Sequence, residues 1–182
     1  MAEHMRLFIA ADLPQAFYPV LQQATQVLHT NASHMRRTPQ RNLHLTMCFL
    51  GEVPPDIAQE IRHWFAALPG LSQHARSTRI AAYGHFPSRK GHTLWAGLEV
   101  TKELTDFVAE LAQGLKPWVA VDNRKWVPHI TLARDAQLTH AMNDLLPQLP
   151  VSPPATLPGI TLYHSRFTKS GMLYTPLETI TE

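Results

Sequence analysis

Two tetrapeptides of this chain could carry acid–base chemistry: His44-Leu45-Thr46-Met47 and His129-Ile130-Thr131-Leu132. An imidazole titrates near neutrality, so two of them can divide the roles of proton acceptor and proton donor. A threonine hydroxyl can donate to an oxygen on which negative charge builds. In an extended strand successive side chains alternate faces. Each motif therefore projects its histidine and threonine together, roughly 6–7 Å apart along the strand. Leu43, Leu45 and Met47, like Ile130 and Leu132, turn to the opposite, core side. Two such strands face to face would line one cleft with two imidazoles and two hydroxyls. In-line displacement at phosphorus needs that set: a base for the nucleophile and an acid for the leaving oxygen.

The repetition carries the weight. With 11 histidines, roughly one His-x-Thr is expected by chance, and about 0.2 once both neighbouring positions must be apolar. Two copies, 85 residues apart, are a different matter. The competing readings are sheet histidines whose threonines merely favour strands and a histidine-ligated metal. Neither His-x-His, nor His-Glu-x-x-His, nor paired cysteines occur, so no metal and no cofactor is expected.

Elements able to position the motifs can be read from periodicity. Apolar Leu7 to Ala11 predicts a buried strand, followed by a helix carrying Phe17, Val20, Leu21, Ala24, Val27 and Leu28 on one face. Thr30 to Asn42, with Arg36, Arg37 and Arg41, reads as a basic loop before the motif strand 43–50. A helix over about 55–68 and strands over 80–86 and 93–100 complete the first half. The second half repeats this order: a helix from Thr101, a loop with Arg124 and Lys125, the motif strand 127–133, a proline-rich connection, and strands 160–167 and 172–180. Phe17, Val20, Leu21, Ala24 and Leu28 each fall on an apolar residue 87 positions later. The expectation is an α+β fold, one bilobal domain over 1–182 with pseudo-two-fold symmetry, each lobe turning a His-x-Thr strand to a central cleft.

Composition narrows the class. A formal charge of +2 excludes a polycation but permits a local anion site, and one cysteine, Cys48, excludes a disulfide framework. Cys48 lies in an apolar strand and reads as a small hydrophobe. No apolar stretch approaches 18 residues and the start lacks a signal-like pattern, so a soluble cytoplasmic protein, away from membranes, is expected. The remaining histidines form no repeated pattern.

The sequence resembles the 2H phosphoesterases, and within them the bacterial RNA 2′,3′-cyclic phosphodiesterases, also called 2′-5′ RNA ligases. The residues carrying the resemblance are Leu7 to Pro14, Asn42 to Thr46 running into Phe49-Leu50-Gly51-Glu52, Pro128 to Arg134, and Tyr174-Thr175-Pro176-Leu177. It implies a metal-free hydrolase acting on RNA with 2′,3′-cyclic phosphate ends, tRNA fragments among the candidates, and 2′-5′ ligation as the reverse reaction. It also implies His44 as proton donor and His129 as proton acceptor. A small cyclic nucleotide or ADP-ribose cyclic phosphate is the alternative substrate, and a non-catalytic nucleotide-binding or RNA-binding module the alternative class. Arg134 could point a guanidinium at the phosphate, although strict alternation turns it to the other face. Trp126, Phe86 and Phe8 are possible base platforms, with core packing favoured for Phe8. Oligomeric state is open, a monomer being expected.

Overall fold

In the computed structural model, which describes residues 3–122 and 124–181, the two motif strands belong to different sheets, the first at the edge of its sheet and the second between two neighbours. The first sheet has the order β3-β1-β8-β9: β3 (Leu45–Val53), β1 (Met5–Ala11), β8 (Ile160–Thr168) and β9 (Gly171–Ile180). The second runs β2-β6-β5-β4-β7: β2 (Ala32–Arg37), β6 (His129–Leu138), β5 (Gly91–Val100), β4 (Ser77–Ser88) and β7 (Ala155–Thr156). All pairings are antiparallel. The fold is α+β, with one His-x-Thr strand in each sheet.

The sheets do not coincide with the halves of the sequence. Hairpin β4–β5, from the middle of the chain, pairs with the second motif strand, whereas the C-terminal hairpin β8–β9 returns beside β1 and the first. Helices cross over too. Helix α1 (Phe17–Thr30) packs on β2 and β6, while α2 (Pro55–Ala66) packs on β1 and β9, and α3 (Lys102–Leu115) on β3. Each helix turns a fully buried apolar stripe inward, Phe17, Leu21, Ala24 and Leu28 on α1 and Leu104 and Leu115 on α3. Thr101 caps α3, its hydroxyl accepting from the Leu104 amide at 3.2 Å. Pro19 sits in the first turn of α1, where its missing N–H has no intrahelical partner to lose.

Two expectations need correction. The basic loop over 30–42 is mostly an edge strand: β2 lines up on β6, with Arg36 opposite Arg134 and Arg37 opposite Ala133. Its side chains are exposed or half-buried throughout, so the pairing is a backbone affair and leaves no apolar alternation in the sequence. The proline-rich connection is also less irregular than expected. Strand β6 continues to Leu138, and a short helix α4 (Met142–Leu145) buries Met142 and Leu145.

Candidate active site

The alternation expected of the motifs holds. Leu45 and Met47 are buried, as are Ile130 and Leu132, while His44, Thr46, His129 and Thr131 are half-buried on the opposite side. Both imidazoles are fixed in the same way. The Nδ1–H of His44 donates to the carbonyl of Asn42 at 2.7 Å, and that of His129 to the carbonyl of Val127 at 2.7 Å. A carbonyl can only accept, so in each ring the proton of the neutral form sits on Nδ1 and Nε2 is left for chemistry.

Around this shared device the two sites differ. Asn42 ends a single 3₁₀ turn, Gln40–Asn42, and its side-chain amide donates to the Met172 carbonyl at 2.9 Å. The His44 ring then rests against Phe8 (centroids 5.0 Å apart) and meets Tyr174 edge-on at 5.3 Å. Phe8 is itself backed by Tyr163 at 5.2 Å. The Nε2 of His44 lies 2.8 Å from the Thr46 hydroxyl, which donates when the ring is neutral. His129 has Phe86 edge-on at 5.2 Å and Trp95 at 6.2 Å. Room for that indole is made by Gly84, where a Cβ would come within 2.4 Å of the Trp95 ring.

Burial lowers the pKa of His44, and the positive charges of Arg134 and His129 lower it further; the hydrogen bond to Asn42 and the charge of Asp12 act the other way. Asp12 is held by the Tyr163 hydroxyl at 2.6 Å and the Thr161 hydroxyl at 3.0 Å. The influence of His129 and Arg134 on His44 puts both charges within electrostatic reach of one imidazole. The lobes are further tied by Trp126, whose indole N–H donates to the Thr46 carbonyl at 2.9 Å.

Arg134 reaches this cleft through a β-bulge. Opposite β5 the register passes from Thr131 facing Trp95 to Ala133 facing Leu94, which leaves Leu132 extra. Leu132 and Ala133 are then both fully buried, and Arg134 returns to the face of Thr131. Its neighbour Asp135 takes a positive φ of 53° and pairs with Arg36 at 3.2 Å. Strict alternation, which turns Arg134 away, therefore fails at one extra residue.

Of the three aromatic candidates, Phe8 is buried and forms the floor beneath His44, Phe86 stands exposed beside His129, and Trp126 is a strut between lobes. The sequence reading gave no role to Trp95, Tyr174 or Asn42. For Trp95 a signal existed: Leu94, Ala96 and Leu98 recur at every second position and are buried, which leaves the indole on the other side, opposite Thr131 of the motif. Asn42 lies two residues before His44, so its carbonyl is a local anchor, but its side-chain bond to Met172 and the placement of Tyr174 follow only from the return of β8–β9 to the first sheet.

The fold and the paired motifs define a 2H phosphoesterase. The chain belongs to the 2′-5′ RNA ligase superfamily, whose family model matches residues 13–166. It is 28% identical to the RNA 2′,3′-cyclic phosphodiesterase of Escherichia coli, over 98% of this chain and 97% of that one. It is also 26% identical to the enzyme of that name from Thermotoga maritima, with 93% and 91% covered. The structure of E. coli LigT complexed with 3′-AMP superposes with a TM-score of 0.75 at 26% identity, covering 98% of both chains.

Proposed function

We propose that the chain hydrolyses RNA 2′,3′-cyclic phosphate ends to 2′-phosphates without a metal, using His44 as general acid and His129 as general base. Relatives named for the cyclic phosphodiesterase activity, matching this chain nearly end to end, support the reaction class. The observation that carries the mechanism is the matched anchoring of the two imidazoles by Nδ1, which leaves proton transfer to Nε2 of each ring, held on His44 2.8 Å from the Thr46 hydroxyl.

In the proposed reaction, Nε2 of His129 takes a proton from water as its oxygen attacks phosphorus. The bond from phosphorus to the 3′-oxygen breaks, and that oxygen takes the proton on Nε2 of His44. One proton has moved from His44 to His129, and exchange with solvent resets the pair. Thr46 links the states. When His44 is protonated, its Nε2 no longer accepts from Thr46, whose hydroxyl proton turns to a non-bridging oxygen while Nε2–H is given to the 3′-oxygen. Arg134 supplies positive charge to the same phosphate. With a 5′-hydroxyl in place of water, the same groups and the same broken bond would yield a 2′-5′ linkage.

An oligonucleotide ending in a 2′,3′-cyclic phosphate, incubated with the protein and excess chelator, tests this. The expected product carries a 2′-phosphate, formed at a rate indifferent to the chelator. Turnover that collapses on chelation and returns with added metal would overturn the metal-free mechanism; a 3′-phosphate product would overturn the assignment of the broken bond.

A further inference from the structure

We infer that the RNA strand leading to the reacting phosphate runs over the cleft-side face of the first sheet beyond His44, with Phe49 and Phe167 as stacking platforms for its bases. This rests on RNA ends being the substrate. Strand β3 carries a bulge like that in β6. Ala10 faces Thr46 and Ile9 faces Cys48, which leaves Met47 extra. Met47 and Cys48 are both buried, and Phe49 emerges on the face of Thr46 with 49% of its surface exposed. Its register partner is Phe8, the floor of His44. Arg6, two residues before Phe8 on the same face, holds its guanidinium 5.0 Å from the Phe49 ring centroid.

The second platform is on the returning hairpin. In unbroken register against β1, Tyr163, Ser165 and Phe167 of β8 alternate onto the cleft side, Tyr163 opposite Phe8 and Ser165 opposite Arg6. Phe167 follows with 81% of its surface exposed. Its hairpin is closed by Gly171 at a φ of 108°, whose carbonyl accepts from the Thr168 hydroxyl at 2.7 Å. It is tied to the catalytic motif as well. Met172, the register partner of Phe167, offers its carbonyl to Asn42, the residue that holds His44. Phe167 thus stands at a fixed position relative to the reacting phosphate, with Lys169 at the adjacent tip.

Phe167 buries little of its ring in the fold and Phe49 about half, whereas stacking on a base is worth roughly five- to hundredfold in affinity. Aromatic rings interleaved with cations suit a single strand with splayed bases, since the deep major groove of duplex RNA admits no side chains. Glu52, the register partner of Arg6, repels phosphates and bounds the path on that side.

Fluorescence anisotropy with single-stranded RNAs of increasing length, each ending in a 2′-phosphate, reads this surface directly. Affinity should rise from mononucleotide to tetranucleotide in the unaltered protein. Phe49→Ala and Phe167→Ala should each remove about tenfold of that rise, and Phe167→Tyr should retain it. A protein whose affinity ignores length, or a rise that survives both alanine variants, would overturn the inference. Turnover of cyclic-ended RNAs, measured in parallel, separates it from the function it rests on. Length-dependent binding lost in the variants without any turnover leaves the surface standing and removes the reaction; turnover with length-blind binding does the opposite.

Discussion

The two motif strands share a construction up to one position and then part. Each presents His-x-Thr to the cleft, anchors its imidazole through Nδ1 on the carbonyl two residues before, and follows the threonine with a bulge that sends two successive side chains to the core. The next residue, returned to the cleft, is Phe49 in the first sheet and Arg134 in the second. Duplicated geometry thus delivers different chemistry from equivalent places: in the second sheet a guanidinium whose charge acts on His44, in the first an exposed ring beside Arg6. A symmetric pair of histidines has no inherent division between donor and acceptor. What distinguishes them here is the surroundings. His44 is packed between Phe8 and Tyr174, with its pKa lowered by burial and by two positive neighbours, while His129 stands by the more open Phe86.

The comparison breaks most sharply at the histidines. His44→Ala and His129→Ala should each reduce kcat by at least ~10²-fold, the usual worth of a positioned acid or base. A variant of either that keeps near-normal turnover would show that only one motif does chemistry. A smaller effect separates the positions after the bulges. Arg134→Gln should lower kcat/KM roughly 10–100-fold on substrates of any length, as expected for a lost charge-assisted hydrogen bond to an anion. It should also move the alkaline limb of the pH–rate profile. In the proposed role His44 must be protonated to donate, and Arg134 lowers its pKa, so removing Arg134 raises that pKa and shifts the limb to higher pH. Equal losses without a moved limb would place Arg134 away from His44.

How much of this was legible in the sequence follows from what each feature depends on. The motifs, their strands and the buried stripes of the helices rest on local periodicity, and they stand where the spacing put them. Strand β2 was hidden because an edge strand paired through its backbone, with polar residues on both faces, shows no apolar rhythm. Arg134 was ambiguous because a single extra residue, Leu132, reverses the alternation, and nothing in the apolar run Ile130 to Ala133 marks the bulge. The crossing of hairpins between the sheets was out of reach for another reason. Equivalent halves suggest that each half folds upon itself, and only long-range pairing decides that β8–β9 returns to β1. Tyr174, which sets His44 apart from His129, and the Met172 carbonyl that holds the Asn42 side chain are placed by that return.

The smallest effect to expect is on stability, and it isolates the environment of His44 from the acid role proposed for it. Burial and the charges of Arg134 and His129 lower its pKa in the folded protein, whereas in the unfolded chain it titrates near the ordinary value of about 6.5. As pH falls below that value the unfolded chain takes up the proton first, so protonation favours unfolding. The loss of stability begins near pH ~6.5, grows as pH falls, and levels off once the folded-state pKa is passed. His44→Gln removes this titration and keeps a polar side chain of similar reach. The Tm difference between variant and wild type should therefore move in favour of the variant between pH ~8 and ~5. Other groups contribute to the pH dependence, such as His164, whose pKa is lowered mainly by burial. They are common to both proteins and cancel in the difference. Arg134→Gln should move the same way by a smaller amount, because it relieves only one of the causes. Thermal denaturation across that range measures all three, and a wild-type–variant difference independent of pH would mean that His44 is as well solvated folded as unfolded.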